Sequence, residues 1–161
     1  MENSDIHILI VDDNRENLKV VSSYLKEKNY RLALALDGKS ALKILEENKI
    51  DLILLDIMMP EMDGFEVCKI IKQNTAIKDL PIIFLTAKTD SDDIVKKFQM
   101  GGVDYITKPF KKEELYARVR NHLQLKLIRD ILYYRIEESQ HSNSFLLKII
   151  YDLTQIIEHN K

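Results

Sequence analysis

Cysteine occurs once in 161 residues, at Cys68, so no internal disulfide can form and a reducing compartment is expected. Charge of one sign is not in excess: 24 basic residues face 26 acidic ones, a net of −2, so no general attraction to nucleic acid or anionic lipid is implied. Long apolar runs are missing as well. The run Leu52 to Leu55 is far too short to span a membrane, and the polar, acidic start from Met1 to Asp5 does not read as a signal peptide. No helix-turn-helix pattern, basic helix or aromatic RNA-binding signature is present, so direct nucleic-acid readout is not expected. A cytoplasmic protein without a membrane partner follows as the expectation. The length suits one domain with a full core and an appendage, and would crowd two.

What is present is organised around Asp51 to Gly64, D-L-I-L-L-D-I-M-M-P-E-M-D-G. Four apolar residues bounded by acidic ones suit a strand buried on both faces of a parallel sheet, and this strand ends on Asp56. Pro60 and Gly64 bracket a turn, proline setting its φ and glycine allowing φ > 0, before a helix near Phe65. Taken alone, Asp56 reads as an ordinary strand-end aspartate. Ile6 to Val11 is a similar buried run that stops on Asp12 and Asp13, followed by Asn14 as a helix N-cap. Arg31 to Leu36, Ile82 to Leu85 and Val103 to Thr107 complete five strands. Helices fall between them after Asn14, from Ser40, after Gly64 and from Ser91 through Ile94, Val95 and Phe98, with a fifth from Lys111. Cys68, beside Val67 and Ile71 on the third helix, reads as a small buried hydrophobe rather than a nucleophile.

Alternating strands and helices with short loops indicate a doubly wound α/β fold, in which ligands sit outside the carboxyl ends of the strands. Parallel strands present all their C-termini on one side. Asp12, Asp13, Asp56, Thr86 and Lys108 therefore share one sheet edge. Three carboxylates there would repel one another unless a cation lay among them, and oxygen ligands of this type suit Mg²⁺, with Mn²⁺ as the substitute. A phosphoryl group could then be held by the metal, the Lys108 ammonium and the Thr86 hydroxyl. Asp56 on the central strand would be the nucleophile and Asp12 and Asp13 the metal holders.

Four blocks in order, V-D-D-N at 11–14, L-L-D-I-M-M-P-E-M-D-G at 54–64, F-L-T-A at 84–87 and D-Y-I-T-K-P-F at 104–110, resemble the receiver domain of two-component response regulators. The resemblance covers roughly residues 5 to 125. It implies a flavodoxin-like five-stranded parallel sheet in the order 2-1-3-4-5 with five helices, a receiver over residues 1–125 and a helical extension over 126–161. It implies that Asp56 accepts a phosphoryl group from a histidine kinase or phosphotransfer protein, and that the domain is a signalling switch rather than an enzyme with turnover. Asp13, Asp56 and the backbone carbonyl of Met58 would ligate Mg²⁺ directly, and Asp12 through water. Lys108 and Thr86 would contact the phosphoryl group, the Lys108-Pro109 bond would be cis, and Thr86 with Tyr105 would form the switch pair. Tyr105 reads equally as an amphipathic residue on a short edge strand. Met58 and Lys88 occupy positions that vary in that family.

Two other readings compete. One is a metal-dependent phosphatase working through an aspartyl phosphate, against which stands Met58, two residues after Asp56, where a general acid would be wanted. The other is an interaction module that does not respond to phosphate, against which stands the full set of polar residues. Beyond residue 125, Leu127, Ile128, Ile131 and Leu132 keep the helical period. E-S-Q-H-S-N-S interrupts it, and a second stripe follows through Leu146, Ile149, Ile150, Leu153, Ile156 and Ile157. With no Gly or Pro in the tail, a single helix competes with a hairpin, and self-association as a homodimer is expected over packing back on the receiver. His141 and His159 read as surface histidines. The ending at Asn160-Lys161, in mid-helix, leads to the expectation of a longer protein with an output domain beyond it.

Overall fold

A computed structural model of the chain describes residues 3–87 and 101–159, with side-chain surroundings described through residue 140 and at 144, 147 and 148. The helix expected from Ser91, and Lys88, lie outside the described residues. Two compact units are present, Met1–Gln124 and Leu125–Lys161.

In the first unit, strands β1 (His7–Val11), β2 (Arg31–Ala35), β3 (Leu52–Asp56), β4 (Ile82–Ala87) and β5 (Asp104–Lys108) form one parallel sheet in the order β2-β1-β3-β4-β5. This is the expected doubly wound order. Helices α1 (Arg15–Lys26), α2 (Gly38–Glu47), α3 (Gly64–Gln73) and α4 (starting at Lys112) accompany it. Strand residues of alternate parity feed two separate cores, because successive side chains point to opposite faces. Leu9, Val11, Ile53, Leu55 and Phe84 pack with Ala41 and Leu45 of α2 and Val67, Cys68 and Ile71 of α3. Ile8, Ile10, Leu52, Leu54, Ile83 and Leu85 pack with Leu18, Val21 and Leu25 of α1 and Leu115, Val119 and Leu123 of α4. Burial on both faces explains why these strands read as unbroken apolar runs instead of alternating ones.

The helices start where short polar side chains offer an oxygen to free backbone N–H groups. Asn14 accepts from Glu16 N at 2.8 Å, Asp37 from Ser40 N at 2.7 Å, and Asp63 and Glu66 make a reciprocal capping box ahead of α3. Capping by Asp37 starts α2 at Gly38, two residues before the expected Ser40. Strand β4 also outlasts its expected end, since Thr86 pairs with Thr107 and Ala87 with Lys108. The N-cap at Asn14 and the buried, unreactive setting of Cys68 agree with the sequence reading; burial pushes that thiol up to about 11.

The turn after β3 requires a correction. Gly64 does not adopt positive φ; the left-handed residue there is Glu61, at φ 63°. Gly64 is needed for close approach, because a Cβ on it would lie 2.2 Å from the backbone oxygen of Asp56. Its N–H donates to Ile57 O at 2.9 Å, so the start of α3 is held against the end of the central strand.

Helix α4 runs over Lys112–His159 with helical backbone throughout, so the described residues contain no hairpin turn in the tail. Within the first unit, α4 is held to α1 by Tyr116 Oη donating to Tyr24 O at 2.7 Å and by the Lys112–Glu27 ion pair.

Candidate functional site

Register alone brings the carboxylates together. Val11 pairs with Leu55 across β1 and β3, so the residues that follow, Asp12 and Asp56, emerge side by side at the sheet edge. On the next strand Asp56 is level with Leu85, which puts Thr86 one residue beyond it, and Ala87 is level with Lys108. The five residues named from the sequence thus come from one edge of one sheet.

The charges there are interlocked. Lys108 Nζ lies 2.8 Å from Asp12 Oδ2 and 2.8 Å from Asp56 Oδ2. Asp12 is fully buried and Asp56 nearly so, whereas Asp13 is exposed. Oxygens of all three carboxylates lie within 4.8 Å of one another. Burial pushes the Asp56 carboxyl up from its ordinary value, against the lowering pull of the Lys108 ammonium. Burial would likewise lower the Lys108 ammonium, but its bonds to Asp12 and Asp56 outweigh that and hold it above the usual lysine value. Three carboxylates against one ammonium leave a formal excess of two negative charges in a partly desolvated pocket. Such an excess is costly unless a cation shares it, and an all-oxygen set next to solvent suits a small hard divalent ion.

Two groups complete the Asp12 carboxylate: Asn17, not singled out from the sequence, and the backbone of Asn14, read there only as a helix N-cap. Asn17 Nδ2 donates to both of its oxygens at 3.1 Å, and Asn14 N donates to Oδ1 at 2.9 Å. The only sequence signal for Asn17 was its place one turn into an amphipathic helix that begins at the acidic pair. Met58 N donates to Asp56 Oδ1 at 3.3 Å, and the Met58 side chain is 77% exposed. That side chain carries no acidic group to protonate a leaving group beside Asp56.

Thr86 is buried and its Oγ1 donates to Ala87 O at 2.9 Å. Tyr105, level with Phe84 on β5, is half-buried and packs on the core that faces α2 and α3. Thr86 and Phe84 alternate by two, so Tyr105 shares a sheet face with Thr86. The Arg118 guanidinium lies over the Tyr105 ring, 5.6 Å from its centroid. Arg118 also reaches Asp104 Oδ1 at 2.6 Å, and His122 Nε2 lies 3.0 Å from Asp104 Oδ2. This second cluster escaped the sequence reading, although the spacing Glu114, Arg118, His122 along one helix face was its signal. The Lys108-Pro109 peptide is cis. The side chains of His141 and His159 lie outside the described residues.

A family model described as the response regulator receiver domain matches residues 8–120. Among curated proteins, the chain is 46% identical over 129 residues to a Vibrio cholerae protein named "Probable cyclic di-GMP phosphodiesterase", covering 80% of this chain and 29% of that one. It is 43% identical over 125 residues to the transcriptional regulatory protein YvrH of Bacillus subtilis, covering 77% and 51%. Among solved structures, a two-component response regulator from Clostridium difficile superposes with a TM-score of 0.69 at 33% identity, covering 74% of this chain and 96% of that one. The chain therefore spans between about a third and a half of the length of these curated relatives.

Proposed function

The chain belongs to the response regulator receiver family, and we propose that Asp56 is its phosphoacceptor, charged by a phosphohistidine on a histidine kinase or phosphotransfer protein. The observation that carries this reading is the pair of 2.8 Å contacts from Lys108 to Asp12 and Asp56 beside a third carboxylate. An Asp56 oxygen attacks phosphorus in line. The new O–P bond forms as the P–N bond to the imidazole breaks, its electron pair leaves with the ring nitrogen, and that nitrogen takes up a proton.

Asp12, Asp13, Asp56 and the Met58 carbonyl are the groups that would hold Mg²⁺, or Mn²⁺ in its place. Bound there, the ion neutralises charge on the phosphoryl oxygens and on the crowded carboxylates. Lys108, already aimed at Asp56, turns its ammonium to a phosphoryl oxygen once the carboxylate is esterified. Asn17 and the Asn14 N–H keep Asp12 oriented. The Thr86 hydroxyl leaves the Ala87 carbonyl for the phosphoryl group, and the Tyr105 ring follows it inward on the shared face. Exposed, apolar Met58 supplies no acid for general phosphate-ester turnover, which favours a phosphoacceptor over a phosphatase. The helical tail serves self-association, supported by its exposed apolar residues.

The test is incubation of the chain with Mg²⁺ and acetyl phosphate, followed by intact mass. One hydroxylamine-labile phosphoryl group is expected, lost in Asp56→Asn and on chelation. No mass gain, or one retained by Asp56→Asn, would overturn the assignment.

A further inference from the structure

Residues 125–157 fit one sevenfold frame, which keeps its register through the polar patch E-S-Q-H-S-N-S. Leu125, Leu132, Leu146 and Leu153 recur at its d position, with Ser139 completing the series. The a position holds Ile136, Ile150 and Ile157, with Asn143 between the first two and Arg129 ahead of them. The backbone is helical across this stretch, which makes the frame a spatial stripe about 50 Å long. In the single chain the described part of the stripe is open to water: Leu125 is 59% exposed, Leu132 57% and Ile136 52%. A monomer rarely leaves large apolar side chains clustered along one helix face uncovered.

We propose that this segment pairs with the same segment of a second copy of the chain as a parallel, in-register, two-stranded coiled coil, with Asn143 facing its own counterpart. This deepens the self-association part of the functional reading and does not depend on phosphotransfer at Asp56. Three features select this partner and geometry. β-branched isoleucine at a with leucine at d is the combination that favours two strands in parallel over three or four. A lone asparagine at a is satisfied when it meets another asparagine across the seam, and a slip of one heptad would set its amide against Ile136 or Ile150. Finally, Arg135 is the single charged residue at an e or g position from 128 to 156, so no ladder of like charges along the flanks repels an identical strand. Arg129, at a near the start, has Asp130 Oδ1 at 3.7 Å to offset its charge.

The frame makes polarity and strand number measurable in the 161-residue chain. Light scattering coupled to size exclusion is expected to give about twice the 18.9 kDa chain mass. In a Cys68→Ser background, Leu153→Cys is expected to oxidise to a disulfide-linked dimer, since parallel strands bring residue 153 against itself. An antiparallel pair would oppose it to residues near 129 and leave it unlinked. Asn143→Val is expected to raise the melting temperature of the tail and to broaden the mass distribution beyond dimer. The double variant Leu146→Ser and Leu153→Ser is expected to run as a monomer that still gains a phosphoryl group at Asp56, which separates loss of pairing from loss of the receiver. A dimer without the Leu153→Cys cross-link, or a trimer or tetramer, would overturn this geometry while leaving self-association standing. A monomer at high micromolar concentration would overturn both.

Discussion

Without Lys108, Asp12 and Asp56 would stand side by side at the edge with their two buried charges uncompensated. Lys108→Ala is accordingly expected to cost on the order of 3 kcal/mol, the scale on which breaking a buried ion pair destabilises a fold. Millimolar Mg²⁺ is expected to recover most of the loss, because the ion supplies positive charge to the same oxygens; a thermal melt with and without chelator measures both effects. At Asp104 the balance runs the other way. Burial alone would raise its carboxyl, but the bonds from Arg118 and His122 outweigh that and hold it below the usual carboxylate range. A group depressed in the folded state contributes stability above its unfolded value of about 3.9, and that contribution is lost as pH falls through the folded value. Asp104→Asn is therefore expected to destabilise the protein by about 1–3 kcal/mol at neutral pH, with the difference from wild type shrinking below about pH 4. Denaturant titrations at the two pH values check the sign. The two clusters were not equally legible beforehand: Asp56 and Lys108 stand at strand ends, while Asp104 and Arg118 lie 14 residues apart on a strand and a helix, and only the spacing of Glu114, Arg118 and His122 along the helix hinted at the second.

Strand β3 and helix α3 are joined by a turn whose tightness sets the position of Asp56. The amide of Gly64 binds Ile57 O, and its missing Cβ leaves room for the Asp56 carbonyl. Backbone cannot yield there as a flexible side chain would. Gly64→Ala is thus expected to destabilise by roughly 1–3 kcal/mol, as overpacking does, and to slow phosphoryl uptake at Asp56 by displacing the strand end. Equal uptake rates in the variant and wild type, measured by intact mass over time, would refute the second part. The P-E-M-D-G string marked a turn correctly, yet which residue takes positive φ was not readable from it. Glu61 does so, at φ 63°, with its carboxylate paired to Lys39. Similarly, Thr86 looked like a strand terminus, but its pairing with Thr107 places it within the ladder, with its hydroxyl donating to Ala87 O.

For the molecule as a whole, the buried core residues among those described run no further along the chain than Leu123. A chain ending at Gln124 is therefore expected to fold, to unfold in one cooperative step and to take up phosphoryl with the same Mg²⁺ requirement as the full chain. Coincident circular dichroism and fluorescence transitions, with intact mass after acetyl phosphate, check this; an unfolded or unreactive truncation would show that residues beyond 124 are needed. Among the described residues no helix is long and apolar enough to cross a membrane.

Strand runs, caps and the acidic or basic residue at the end of each run were determined by local sequence, since burial on two faces and parallel pairing impose a pattern that periodicity exposes. The heptad frame of the tail was determined in the same way, by spacing along a single helix. Tertiary structure alone decided that Val11 is level with Leu55 and Ala87 with Lys108, and so that Lys108 reaches two carboxylates at once. It alone recruited Asn17 to Asp12 and set Arg118 across the Tyr105 ring. Contacts of that kind depend on register and on the approach of helix to strand, distances that arise only when separate segments pack, and no spacing within one segment encodes them.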